Sequence, residues 1–202
     1  MSSLMNIYND YAYNFYPRGI SNPFEQEYLS SEEYLTLLFA IDKAKDWKMG
    51  KVMTALMSIK TGIRNTNQQP TDLTNFNFGD RCFHVQYSFY TAHSVQAISV
   101  NISILAPIFC VYYVGQDDLD NEFVGRRITN PEEFQPYDFE YIPEKYHKLK
   151  EKLVQLVKNF GYHFVANDAL GNIIPDISYE TIGINNMTVF NAFFLNKPYI
   201  SK

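Results

Sequence analysis

Cys82 and His84 are the nearest this chain comes to a nucleophile and its base. A thiol is activated when a neighbouring imidazole takes its proton, so the two must lie within hydrogen-bond reach. On a strand, residues two apart share a face, but they sit about 6–7 Å apart, from a rise of 3.2–3.4 Å per residue. The apolar face of this strand is the side of Phe83, Val85, Tyr87 and Phe89, so Cys82 and His84 are expected on the opposite one. No carboxylate stands at a spacing that would orient the imidazole. The pair reads as an ordinary strand face, and no catalytic residue is assigned.

Metal chemistry fares no better. Asp117-Asp118-Leu119-Asp120-Asn121-Glu122 supplies the hard oxygens that calcium prefers. A helix–loop–helix calcium site needs Gly at its sixth position and Glu at its twelfth; starting from Asp118, Phe123 stands where Gly belongs. His84, His93, His147 and His163 form no i, i+4 pair and have no carboxylate at motif spacing. With only Cys82 and Cys110, no CxxC is possible. HExxH, GxSxG, GxxxxGK[ST] and GxGxxG are all absent, and the nine glycines are scattered, so no phosphate cradle is indicated. No metal and no cofactor is expected. Paired carboxylates for glycoside chemistry are assembled in three dimensions, and spacing singles out none.

What stands out instead is charge. Thr91 to Gln116 holds no Asp, Glu, Lys or Arg. Ionised groups stay in water, so this stretch must be buried. Then come Asp117, Asp118, Asp120, Glu122, Glu132, Glu133, Asp138, Glu140 and Glu144, against only Arg126 and Arg127. Rings interleave with them: Phe123, Phe134, Tyr137, Phe139 and Tyr141. Carboxylates steer a basic partner inward, and rings supply desolvated contact area on arrival. The expected binding residues are Asp117, Asp118, Asp120, Glu122, Phe123, Glu132, Glu133, Phe134, Tyr137, Asp138 and Glu140. The plainer reading of this segment is a loop whose rings anchor it while its carboxylates stay wet.

The function expected from these residues is non-catalytic binding of a basic protein partner. An immunity-protein or antitoxin-like inhibitor of a bacterial toxin is one concrete version, which no motif identifies. The alternative is an enzyme of unrecognised, hydrolase-like type, with a cleft beside the sheet drawing on Cys82, His84, His93 and nearby carboxylates. A third possibility is an assembly subunit that uses its aromatic N-terminus.

Bulk properties narrow the classes. A net charge of −5 and a pI of 5.3 argue against a nucleic-acid partner, since phosphate binding needs clustered Lys and Arg. The uncharged stretch is broken by His93, Ser94, Gln96, Ser99, Asn101, Ser103 and Pro107, so no membrane span is expected. The start, MSSLMNIYND, lacks the basic and apolar regions of a secretory signal. With two cysteines read as buried free thiols, the expected location is the cytoplasm.

The elements that must position these residues are legible from periodicity. All 202 residues are expected to form one domain, with 1–28 as an irregular arm rich in Tyr, Phe and Asn. Ser30 and Glu33 have capping-box spacing, with Ser31 as an alternative cap. Tyr34, Leu37, Leu38 and Ile41, then Val52, Leu56 and Ile59, recur at helical spacing. Phe83 to Phe89, Gln96 to Ile104 and Ile108 to Val114 read as three strands of an antiparallel meander. A second strong helix covers 144–160, with Gly161 as its C-terminal stop. The fold class is α+β: an antiparallel sheet of at least three strands, about 81–114, covered on one face by helices near 31–60 and 144–160.

Overall fold

Alternation of bulky and polar residues in two stretches, followed by a continuous β-branched and aromatic run, gives the central meander its strands: β2 (Cys82–Tyr90), β3 (Ser94–Ser103) and β4 (Ile108–Asp117). The computed structural model describes residues 2–46, 50–61, 70–90, 94–117, 121–124 and 139–196. β2 and β3 pair antiparallel with Val85 opposite Val100; β3 and β4 do so with Val100 opposite Val111. Short β1 (Thr71–Asp72) adds to the outer side of β2. On the far side of β4 lie two short strands. β5 (Asn121–Val124) runs antiparallel to its end, and β6 (His163–Phe164) runs parallel to its start. The expected α+β class and antiparallel sheet are therefore present.

One face of the sheet presents Phe83, Val85, Tyr87, Phe89, Ile98, Val100, Ile102, Phe109, Val111 and Tyr113. Against it pack α4 (Lys51–Met57), through Val52, Met53 and Leu56, and α5 (His147–Lys158), through Leu149, Leu153 and Val157. Tyr146, just ahead of α5, stacks on Phe89 with centroids 4.7 Å apart. Gly161 ends this element at φ +88, and its N–H donates to the Lys158 carbonyl at 2.9 Å. This is the left-handed stop expected from the sequence.

The other face is covered as well. Cys82, Ala97, Cys110, Tyr112 and Val114 point into a second core shared with α1 (Ser2–Ala12), α3 (Glu32–Asp46), α6 (Val189–Phe193) and the chain leading to α6. The helical pattern read as one run near 31–60 thus divides. Residues 51–57 lie over the first face, while Leu37 and Ile41 of α3 belong to the second core. Ser31, the alternative cap, is the one used, its Oγ accepting from the Tyr34 N–H at 3.2 Å.

The N-terminal arm requires a correction: Ser2–Ala12 is helical rather than irregular. Its Ser, Asn and Tyr content gives weak helix propensity, so burial of Tyr8 and Ala12, four residues apart, is what holds it. Further along, the Tyr16 hydroxyl donates to the Ala192 carbonyl and the Tyr28 hydroxyl to the Ser178 carbonyl, both at 2.6 Å. These rings fasten the N-terminal quarter to the C-terminal one. Among the described residues, no helix is long and apolar enough to cross a membrane.

Candidate functional site

The acidic segment begins on regular structure. Asp117 closes β4 opposite Asn121, Gln116 lies opposite Glu122, and Gly115 opposite Phe123. The first part of the segment therefore belongs to a hairpin on the outer side of β4. Asp117, Glu122 and Phe123 take defined register positions there; Asp118, Asp120, Glu132, Glu133, Phe134, Tyr137 and Asp138 lie outside the described residues.

Where the description resumes, side chains alternate between core and water. Phe139 is buried against Phe190, centroids 4.8 Å apart, and edge-on to Tyr112 at 5.6 Å. Asn167 donates its side-chain amide to the Phe139 carbonyl. Glu140 is exposed, Tyr141 is half-exposed and edge-on to Tyr113, and Ile142 is buried. The returning end of the segment is thus pinned by Phe139 and Ile142, which leaves the Glu140 carboxylate in water. Just beyond it, Lys145 donates to Gln96 Oε1 at 2.9 Å, as does the Tyr146 hydroxyl.

Charge is concentrated in this segment to an unusual degree. Residues 117–144 carry nine Asp and Glu against two Arg. The rest of the chain, with 13 acids and 15 Lys and Arg, is slightly basic. The net charge of −5 therefore comes entirely from one stretch.

The residues weighed for covalent chemistry lie elsewhere, sealed under the second face of the sheet. Cys82, His84, Cys110 and Asn101 are all 0% exposed. His84, Asn101 and Cys110 fall in one register row across three strands, and Gln86, Ser99 and Tyr112 in the next. Burial pushes both thiols well up from their ordinary value, and it pushes the His84 imidazole down to about 3. A thiol held protonated beside an imidazole too weak to accept its proton makes neither nucleophile nor base. Asn101 donates to the Tyr112 hydroxyl at 3.3 Å, so this row serves as a polar layer within the core.

Described clefts do not reach that layer. One, of about 710 Å³, lies between Asp72–Phe78 and Leu195–Asn196. Another, of about 480 Å³, lies beside Asp42, Lys45, Tyr179 and Glu180. Neither is lined by Cys82 or His84, and His93 lies outside the described residues. Among the described residues, no group of three His, Cys, Asp or Glu side chains is placed to hold a metal ion.

Sequence reasoning passed over Arg81, the largest fully buried side chain among the described residues. Its guanidinium donates to the Asn191 carbonyl at 2.7 and 3.1 Å, to the Gly79 carbonyl at 2.7 Å and to Asn196 Oδ1 at 2.7 Å. It also lies 4.6 Å from the Tyr179 ring centroid. Burial alone would lower its pKa, but the surrounding Tyr16, Tyr179 and Glu180 raise it. It is a clamp between the start of β2 and the C-terminal chain. Comparison with protein-family models, curated proteins and solved structures finds no match to this chain.

Proposed function

We propose that this chain is a non-catalytic protein-binding domain that presents residues 117–140 to a basic protein partner. The observation that carries the reading is the confinement of the whole net negative charge to one segment, which starts on the β4–β5 hairpin and ends at the buried Phe139. That segment is tied to the domain at its two ends, one by the β4–β5 pairing and the other by the buried Phe139 ring. Its local field favours encounter with positive surfaces and disfavours nucleic acid. Binding of this type is salt-sensitive, because screening over about 8–10 Å weakens exposed charges.

An inhibitor of the immunity or antitoxin kind, covering the active site of a basic toxin, is one member of this class. The charge distribution supports the class rather than that member. The enzyme alternative draws no support from Cys82 and His84, whose burial and acidities oppose the required proton transfer. The test is affinity capture of the tagged chain from its native lysate at low and moderate salt. A stoichiometric basic partner that is lost as salt rises is the expected result; capture that is indifferent to salt would remove the acidic-face reading.

A further inference from the structure

α3 is apolar on two opposite sides. Leu37, Ile41 and Ala44 are buried in the second core, whereas Leu35 is 53% and Phe39 60% exposed on the outward side. A helix needs only one apolar stripe to dock on its own domain, so a second one is unaccounted for by folding.

The outward side has an order of its own. Glu32, Thr36, Phe39 and Lys43 recur at spacings of four, three and four, which places them in one line along the helix. Beside that line is an apolar depression of about 390 Å³, lined by Thr36, Phe39, Ala40, Lys43, Ala44 and Ile104. Knob and hole therefore adjoin on one helix, and opposite charges stand at its two ends.

We propose that this face binds a second copy of the chain, two α3 helices crossing antiparallel about a two-fold axis. That symmetry requires a patch that complements itself, so that if i meets j then j meets i. Reversing the line of four on itself sets Phe39 against Thr36 and Glu32 against Lys43, twice over. The Phe39 ring of each copy then enters the depression beside Thr36 and Ala40 of the other. Parallel alignment would instead set Glu32 against Glu32 and Lys43 against Lys43. A single helix face is small beside a standard interface, so the dimer is weak and reversible.

Sedimentation of the full chain from low micromolar to near-millimolar concentration tests this. The weight-average mass should climb from 23.5 kDa toward twice that value. Phe39→Glu should hold the chain monomeric throughout. Glu32→Lys and Lys43→Glu should each weaken association on the order of tenfold, and the double variant should restore it. The double variant keeps the test decisive even if Phe39→Glu disturbs the fold. A mass of 23.5 kDa at every concentration would overturn the proposal. A double variant no better than the singles would overturn the antiparallel pairing.

Discussion

Acid should weaken this protein through one buried histidine. His84 is fully buried, and desolvation lowers its pKa from 6.5 to about 3. Above pH 6.5 neither the folded nor the unfolded chain protonates it, so it carries no penalty there. Below pH 6.5 the unfolded chain takes up a proton that the folded chain refuses, and stability falls with each unit of pH until about 3. Each unit corresponds to about 1.4 kcal/mol, so the loss from this group is about 2–3 kcal/mol between about pH 6.5 and about pH 4.5. That is a substantial part of the roughly 5–15 kcal/mol that stabilises a typical domain. The assay is urea denaturation of the native chain and of His84→Gln at about pH 7 and about pH 4.5. Carboxylates titrate alike in both, so the difference between the two chains isolates the imidazole. His84→Gln should be the less stable chain at neutral pH, and the gap should shrink by about 2–3 kcal/mol in acid. An unchanged gap would refute the reasoning. Should the variant fail to fold, the ring resonances of His84 decide the matter: they should not titrate in the native chain between those two pH values.

Other perturbations address the scaffold. Arg81→Ala removes the donor to the buried Asn191 carbonyl, the half-buried Gly79 carbonyl and Asn196, and should cost at least about 3 kcal/mol in chemical denaturation. A loss under about 1 kcal/mol would remove the clamp role. Gly161→Ala meets no atom within 4 Å but must hold φ +88, so it should cost about 1–2 kcal/mol, through backbone strain alone. Gly171→Ala, equally open and without a positive φ, should be near neutral in the same melts. Cys82 and Cys110 should resist a thiol reagent in the native chain and label fully once unfolded; rapid native labelling of either would contradict its sealed, protonated state.

Much of the fold was readable because two simple periods dominate it. The period of two across Phe83–Phe89 and Gln96–Ile104 sets the central strands, and the 3.6 period of Tyr146, Leu149, Leu153 and Val157 sets α5 and the face it covers. The second layer was harder to see because the strand residues beneath it are polar. His84 and Gln86 look like a solvent face, and of that layer only the lack of charge around Ser99 and Asn101 hinted at burial, yet each of the four is 0% exposed. Alternation marks two faces but does not say that only one is buried. α1 escaped for the opposite reason: its residues are poor helix formers, and long-range packing on α6 and its surroundings holds it in place. At the candidate site, composition located the acidic segment, but the roles of its rings depend on contacts distant in sequence. Phe139 meets Phe190, 51 positions away, which no local pattern could reveal. Arg81 gave no signal either, since its partners are mostly backbone carbonyls, and these carry no residue type.

The central claim is that the acidic segment carries the binding function. Its most direct test reverses charge at the start of the segment, with Asp117, Asp118, Asp120 and Glu122 all changed to Lys, and compares partner capture by this chain and the native one at matched salt. Circular dichroism melts establish that both are folded. The account expects the reversed chain to lose its basic partner while keeping its fold. Equal capture by the two folded chains at every salt concentration would contradict it.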